Sequence, residues 1–425
     1  MAGNFPPGDR TRLNIWLFNP YGPLPGEGWR EYSYVTIGSV LAQAGHQVVW
    51  WTSNFSHHFK TVRSTGWEDR ILPSGLVVRL VPTPGYRRNI GFGRLRRDFL
   101  FGLRAYRRAL RLDAPDIILT SEPATMAGFA GPRLARKTGA VFLYDQMDLW
   151  PELIAQALPS SFQSLGHLFL WPIYSYRRKI FARLDGAMAL ARPYLESVTR
   201  GLPQGRSLPE LVVYNGIDVP AFRALMSGAL PDDINPLFDR PGLKAIFAGS
   251  LGPSYDVQPM ISAARKLARA GSTISLYIAG DGPARPMVEA AAAECPNLIY
   301  LGKVPSDLLP AVYARCDIGL ASYSERSNVE MCDKFYDYTA AGLAIVNSLE
   351  GEVASWIESF ALGLQYRAGD ALSLARALAK MDSDPVSLSA SRAASWEIAM
   401  RFDREAQHAQ LLPWLETVLR DRTRG

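Results

Sequence analysis

The sequence predicts an α/β protein of two doubly wound parallel-sheet domains facing each other across a cleft. Three observations carry this. The chain has 425 residues, room for two domains of about 200 each. Short apolar runs alternate with amphipathic stretches through both halves, the pattern of parallel strands covered on both faces by helices. Between the halves lies SGALPDDINPLFDRPG (227–242), rich in Pro, Asp and Gly and without periodicity, which reads as a linker. The expected division is a first domain over 1–226, the linker, a second domain over 243–393 and an amphipathic helical tail over 394–425 that breaks near Pro413.

In the first half LNIWLF (13–18), HQVVWW (46–51), LVVRLV (76–81), DIILT (116–120), AVFLY (140–144) and DGAMAL (185–190) read as strands. Helical patterns fill 28–44, 94–112, 123–137 and 166–183 between them. The first strand leads into NPYGPLPGEGWREYSY (19–34), a strand-to-helix loop shaped by its glycines and prolines. Gly26, Glu27 and Gly28 are candidates there for contact with an acceptor, and a purely structural role fits them equally. LYDQMDLWPELI (143–154) places Asp145, Asp148 and Glu152 just past a strand, where open sheets tend to put site carboxylates. Trp150 is placed to stack on a sugar face. The cluster suits hydroxyl binding or acid–base work, with Asp148 as the catalytic candidate, and it also suits an acid-rich first helical turn.

In the second half LKAIFAG, TISLYIAG, NLIYLG, DIGLAS and LAIVN read as strands, with helices near 257–270, 284–294, 306–315 and 333–341. Two of the strands run into compact glycine turns, AGSLG and AGDGP. Gly249, Ser250, Gly252, Gly280, Asp281 and Gly282 thus form a candidate cradle, because such turns let backbone amides approach a phosphate at a helix N-terminus. Ordinary tight βα turns read the same way. Next comes the polar loop from Ser322 to Asn328, then CDKFYDYTAAGL (332–343). There Lys334 supplies a cation to a diphosphate and Asp337, one turn along the helix, a carboxylate for ribose hydroxyls. The same spacing fits an i,i+3 surface ion pair.

The formal charge of +6 is unevenly placed. Residues 86–112 hold nine arginines and one aspartate, so the rest of the chain is slightly acidic. In this stretch Leu95, Phe99, Leu103, Tyr106 and Leu110 recur at helical spacing among arginines. That pattern fits a helix packed on its domain, and also an interfacial helix on anionic lipid presenting Arg94, Arg96, Arg97, Arg104, Arg107 and Arg108. A second basic cluster, SYRRKIFAR (175–183), extends it. Nucleic acid is disfavoured because no recognised binding module accompanies the charge. MAGNFPPGDR lacks the apolar core of a signal peptide, and no apolar run reaches the length of a bilayer. Cys295, Cys316 and Cys332 have no metal-like spacing and suggest a reducing compartment. His57 and His58 have no acidic neighbour in sequence, and no zinc, P-loop or G-x-S-x-G pattern is present.

Taken in order, GHQVVWWTS, PGEGW, YDQMDLWPE, VVYNGIDVPAF, AGSLG, IAGDGP, LGKVPSDLLPAVYARCDIGL and KFYDYTAAGLAIV resemble the retaining glycosyltransferases of family 4, which have the GT-B fold of two Rossmann-like domains. YDQMDLWPE looks like the branch that builds bacterial surface polysaccharides. The resemblance runs from about Leu13 to Asp370. It implies a nucleotide-sugar donor bound in the second domain, with the base near Val304 and with Asn215 and Asn328 also on the donor. It implies transfer with retention, no metal or other cofactor, domain closure against water, and a tail packed back on the first domain. The sequence departs from the family in three places. GSLGPSYD carries no cation where members have Arg and Lys. Of the paired glutamates, the second maps to Asp337 and the first near Val329, with Glu330, the third catalytic candidate beside Asp148 and Lys334, one position off. The acceptor-side histidine is Met147. The expected acceptor is a polyprenyl-diphosphate-linked glycan in exopolysaccharide or O-antigen assembly, reached by a cytoplasmic protein docked on the inner face of the membrane. A nucleotide-sugar 2-epimerase of the same fold, or a non-catalytic transferase partner, are the alternatives.

Overall fold

The computed structural model describes residues 12–28, 33–87, 91–122, 130–149, 151–152, 155, 158 and 160–424. The chain divides into two compact units, one reaching to Asn215 and resuming at His408, the other Gly216–Gln407.

The first unit is built on an eight-stranded sheet. Its strands are β1 (Asn14–Phe18), β2 (Gln47–Ser53), β3 (Glu68–Ile71), β4 (Val77–Val81), β5 (Ile117–Glu122), β6 (Val141–Gln146), β7 (Gly186–Ala189) and β8 (Glu210–Val212). Their order is β3-β4-β2-β1-β5-β6-β7-β8, parallel throughout except for the edge pair β3 and β4. Successive side chains on a strand point to opposite faces. Ile15, Leu17, Trp50, Val78, Leu119 and Leu143 therefore share one face, which the helices Tyr34–Gln43 and Leu411–Arg424 cover. On the other face Thr120 and Phe142 lie against Gly131 of the helix Ala130–Thr138. Tyr144 packs edge-on against Phe181 of the helix Ser160–Phe181, with ring centroids 5.3 Å apart.

The second unit is a six-stranded parallel sheet of β9 (Lys244–Ala248), β10 (Ser275–Ala279), β11 (Leu298–Gly302), β12 (Ile318–Ala321), β13 (Ala344–Asn347) and β14 (Gly363–Gln365). The order is β11-β10-β9-β12-β13-β14. In each unit the order reverses beside the first strand, between β1 and β5 and between β9 and β12. In open parallel sheets, crevices for ligands form at the carboxyl ends of the strands flanking such a switch.

Two parallel-sheet domains were the expectation, and the strands fall where the apolar runs lie. β3, β8 and β14 escape sequence reading because each is an edge strand of three or four residues. The units part at Asn215, eleven residues before the expected boundary. The stretch 227–242 is not a free linker, because Phe238 within the 3-10 turn Asn235–Phe238 is buried and stacks on Tyr277 at 4.6 Å. The expected tail is also divided. Residues up to Gln407 stay in the second unit, where Phe402 packs on Phe335, Tyr336 and Trp356. From His408 onward the chain rejoins the first unit, burying Leu411, Trp414, Leu415 and Val418 in its core. No helix among the described residues is long and apolar enough to cross a membrane.

Candidate functional site

In the second unit the switch point is built from three short turns. Gly249 follows β9 and Gly280 follows β10, and their backbones meet so closely that a Cβ on Gly280 would lie 1.8 Å from the Gly249 carbonyl oxygen. Gly282 approaches the Leu251 backbone in the same way. The pairing is fixed by hydrogen bonds from the Gly249 amide to the Ala279 carbonyl and from the Leu251 amide to the Asp281 carbonyl, both 2.9 Å. The amides of Gly249 and Leu251 are therefore spent between the two turns, that of Gly280 on the Gly302 carbonyl at the end of β11, 2.7 Å away, and that of Gly282 on its neighbour's carboxylate, Asp281 Oδ1, at 2.8 Å. Glycine is needed here for close backbone approach.

Lys334 lies on the floor of this crevice. It sits in the first turn of the helix Asp333–Ala341 and is buried, and its Nζ donates to the Ala248 carbonyl at the end of β9, 2.5 Å away. The ring of Phe247 lies 4.6 Å from Nζ, that of Tyr255 4.7 Å and that of Tyr323 5.8 Å. A Cβ on Gly249 would stand 2.3 Å from Nζ, so only glycine leaves the ammonium its place. Asp337 is buried one turn along, its Oδ2 3.5 Å from the Tyr313 hydroxyl. Ser250, Asp281 and Asn328 are exposed at the rim, Gly252 is half-buried and Val304 is buried. Sequence reasoning placed Lys334 and the glycines here but missed the ring cage. Its signal was present, since Tyr255 and Tyr323 each stand just past a strand flanking the switch.

Glu330 has a structural task. Its Oε2 accepts the Glu352 amide at 3.1 Å, at the start of the helix Gly351–Ser359, and occupies the place a Cβ on Gly351 would fill. Asn215 is also engaged, its Oδ1 accepting from the Ser33 hydroxyl at 2.7 Å within the first unit.

The first unit gathers charge at the carboxyl ends of β1, β5 and β6. Asp145 is fully buried, and Tyr34 donates to its Oδ2 at 3.0 Å. Its Oδ1 has no hydrogen-bond partner among the described residues. Burial pushes its carboxyl up to about 7, against the smaller opposing effect of the Tyr34 hydrogen bond. Burial also raises Asp148, whose Oδ1 accepts the Leu149 amide at 2.9 Å. Glu152 forms a two-point ion pair with Arg177, with one contact of 2.9 Å. Glu122 accepts from the Tyr144 hydroxyl. Glu122 was not foreseen, because it lies two residues past its predicted strand, and Arg177 was read only as part of the basic cluster 175–183. Trp150 lies outside the described residues.

The glycine loop after β1 is braced from within. Both Glu27 carboxylate oxygens take 2.7 Å bonds from Arg63, and Oε2 also accepts the Leu24 amide. Burial works to raise the Glu27 carboxyl, but Arg63 and the amide outweigh it and hold it below its ordinary value. Gly26 (φ +80°) and Gly28 (φ +73°) adopt left-handed backbone, so the turn itself requires them.

The helix Phe92–Ala109 divides the predicted basic stripe. Arg97 was expected on its outer surface, and the structure buries it completely, because it begins the inward row continued by Phe101 and Ala105. Its guanidinium lies 4.3 Å from the Tyr21 ring centre, 5.2 Å from that of Tyr86 and 3.2 Å from Asp98. Arg94 is also turned inward, donating to the Tyr21 hydroxyl at 3.0 Å while that hydroxyl donates to Asp98 at 2.5 Å. Only Arg96, Arg104, Arg107 and Arg108 of the six are exposed, and Arg104 spends one donor on the Pro82 carbonyl. The apolar residues Leu95, Phe99 and Leu110, which a packed helix would bury, face solvent.

With this geometry described, three comparisons bear on the chain. Residues 31–220 match the family model Glycosyltransferase Family 4, and residues 242–384 match Glycosyl transferases group 1. No curated protein matches in sequence. Among solved structures, HepE of Anabaena in complex with UDP is 16% identical, over 95% of this chain and 100% of its own, at TM-score 0.66. HepE has also been solved with UDP-glucose. Sucrose-phosphate synthase of Thermosynechococcus elongatus is 16% identical over 97% of this chain and 100% of its own, at TM-score 0.65. The α,α-trehalose-6-phosphate synthase of Burkholderia multivorans is 15% identical, over 97% and 100%, at 0.67. At such identities the likeness is one of fold.

Proposed function

We propose that the chain is a glycosyltransferase of GT-B type, its two units matching in order a family 4 model and a group 1 model, and that it moves a sugar from a nucleotide-sugar donor to a polyprenyl-diphosphate-linked glycan. Transfer proceeds with retention and without a metal, in the assembly of exopolysaccharide or O-antigen. The observation that carries the donor half is Lys334, a buried ammonium held by a carbonyl and ring faces at the switch point, above glycine turns that admit nothing larger. A cation fixed there before the reaction stabilises charge developing on the departing diphosphate with little reorganisation. The complexes of HepE with UDP and UDP-glucose favour a uridine donor.

On the acceptor side, Asp148 and Asp145 stand at the carboxyl end of β6, where burial holds both carboxyls above their ordinary values. A carboxylate so placed can accept a hydroxyl proton near neutral pH. Thermal denaturation of the purified protein with UDP, UDP-glucose, GDP and ADP tests the donor reading. A midpoint raised by UDP and UDP-glucose supports it, because a ligand of the native state stabilises by mass action. No shift with any nucleotide overturns it. Release of free sugar or an epimer from the donor without acceptor would turn the reading toward epimerisation.

A further inference from the structure

We infer that the helices Phe92–Ala109, Ala130–Thr138 and Ser160–Phe181, on one face of the first unit's sheet, form a membrane-binding surface, which seats apolar side chains of Ser160–Phe181 in the interface of an anionic bilayer. It rests on the lipid-linked acceptor for its purpose, but its evidence is separate.

Four helices cover that face, and three of them are continuous. Phe92–Ala109 touches Ala130–Thr138, and Arg133 of the latter donates to the Tyr176 hydroxyl of Ser160–Phe181 at 3.4 Å. These three carry six, three and three cationic residues, Arg94, Arg97 and Arg177 among them turned inward, against the single carboxylate of Asp98, while the fourth helix, Arg192–Thr199, adds Arg192 and Glu196. The opposite face is different in kind. The helix Tyr34–Gln43 has no charged residue, and Leu411–Arg424 balances three arginines with Glu416 and Asp421.

Cations alone would make this a solubilising surface, but the apolar residues argue otherwise. Along Ser160–Phe181, Phe162, Leu165 and Phe169 recur at i, i+3 and i+7, one stripe of a helix. Exposure runs from 48% at Leu165 to 76% at Phe169, and Leu168 and Trp171 beside them are 68% and 59% exposed. Phe92, Leu95 and Phe99 repeat the spacing, exposed, on Phe92–Ala109, beyond the intervening helix. Soluble surfaces rarely leave so many large apolar side chains together in water. Arg178 and Lys179 stand exposed about two turns beyond the stripe, whereas Arg177 turns inward to Glu152.

Exposed Phe, Leu and Trp amid cations fit the boundary between acyl chains and anionic headgroups, where rings and chains sink and cations meet phosphates. A second copy of the chain fits poorly, since two such faces would bring like charges together.

Sedimentation of the full chain with vesicles tests this. We expect binding to phosphatidylcholine vesicles containing phosphatidylglycerol, weakened by salt, and little binding to phosphatidylcholine alone. Phe169→Ser with Trp171→Ser should lower partitioning at least about tenfold at every salt concentration, because buried apolar area is lost. Arg96→Gln with Arg107→Gln and Arg108→Gln should lower it chiefly at low salt. All five residues are exposed, so both variants should keep the wild-type melting midpoint and its response to UDP. Undiminished binding by the Phe169→Ser, Trp171→Ser variant overturns the inference. So does a wild type that ignores vesicles but uses this face to self-associate or to bind RNA or an acidic protein. A chain that responds to UDP but ignores vesicles sinks this surface and leaves the transferase reading intact, and the reverse result separates them the other way.

Discussion

Each unit buries a cation at the carboxyl end of its first strand, and the two do so by opposite means. Arg97 in the first unit is stacked among tyrosines and shares the carboxylate of Asp98 with Arg94. Lys334 in the second unit donates to a carbonyl and lies against three aromatic rings, whose faces attract a cation. The arginine is packed into a helix and its loop, and the ammonium stands at glycine turns where an incoming anion would meet it. The surroundings of each cation, more than its burial, separate scaffold from site.

The comparison breaks most readily at Arg97. Arg97→Met leaves buried Asp98 only the more distant Arg94, 3.9 Å away, as a cation and should cost about 3 kcal/mol of stability. Chemical denaturation measures this, and a loss below about 1 kcal/mol would mean that water reaches Asp98 and the pair is not structural. Lys334→Ala should do the reverse. It should leave the fold standing but weaken UDP binding about ten- to hundred-fold, the worth of a charge-assisted phosphate contact. Calorimetric titration with UDP reads it, and unchanged affinity would remove Lys334 from the donor site.

Both cations lie in stretches the sequence marked, yet the marks were unequal. All strands but β3, β8 and β14 were legible because parallel strands buried on both faces are continuous apolar runs. The glycine turns and Lys334 were legible because they stand directly after such runs. Arg97 was not, because its helix carries apolar residues on the outward side as well, so periodicity pointed the wrong way. The interior row Arg97, Phe101, Ala105, Ala109 holds one large apolar side chain and one charge, and reads as a packing face only once Tyr21 and Tyr86 are seen against it. The unit boundary was misplaced for a similar reason. Phe238, a single aromatic in a Pro- and Asp-rich stretch, anchors it by stacking on Tyr277, a long-range contact without a local signature.

Asp145 sharpens the contrast within the first unit, because Tyr34 supplies its hydrogen bond and no cation appears among the causes of its shift. Its folded-state pKa, about 7, lies above the ordinary carboxylate value of 3.8. The folded chain therefore holds this proton where the unfolded chain has released it. Stability from this group is full below the unfolded value and is lost as pH rises through 7. Between about pH 6 and pH 8 the loss should reach about 1.4 kcal/mol. Asp145→Asn should flatten that slope in denaturation curves taken across the interval. A variant with the wild-type slope would show that Asp145 is ionised throughout and that its Oδ1 has found a partner on folding.

Glu330 gives the second unit's counterpart, an acid close to the site but committed elsewhere. Its carboxylate accepts the Glu352 amide at the N-terminus of Gly351–Ser359 and fills the space above Gly351. Glu330→Ala removes a helix cap and should cost about 1 kcal/mol. Glu330→Gln retains an acceptor oxygen and should recover most of that, losing only the attraction of a full charge for the helix terminus. If capping is the whole of its work, donor affinity and turnover in both variants follow the small change in stability. A glutamine variant as stable as the parent but slower by orders of magnitude would mean that the negative charge itself acts on the reaction. The division between architectural pairing and catalytic charge would then run through Glu330 as well.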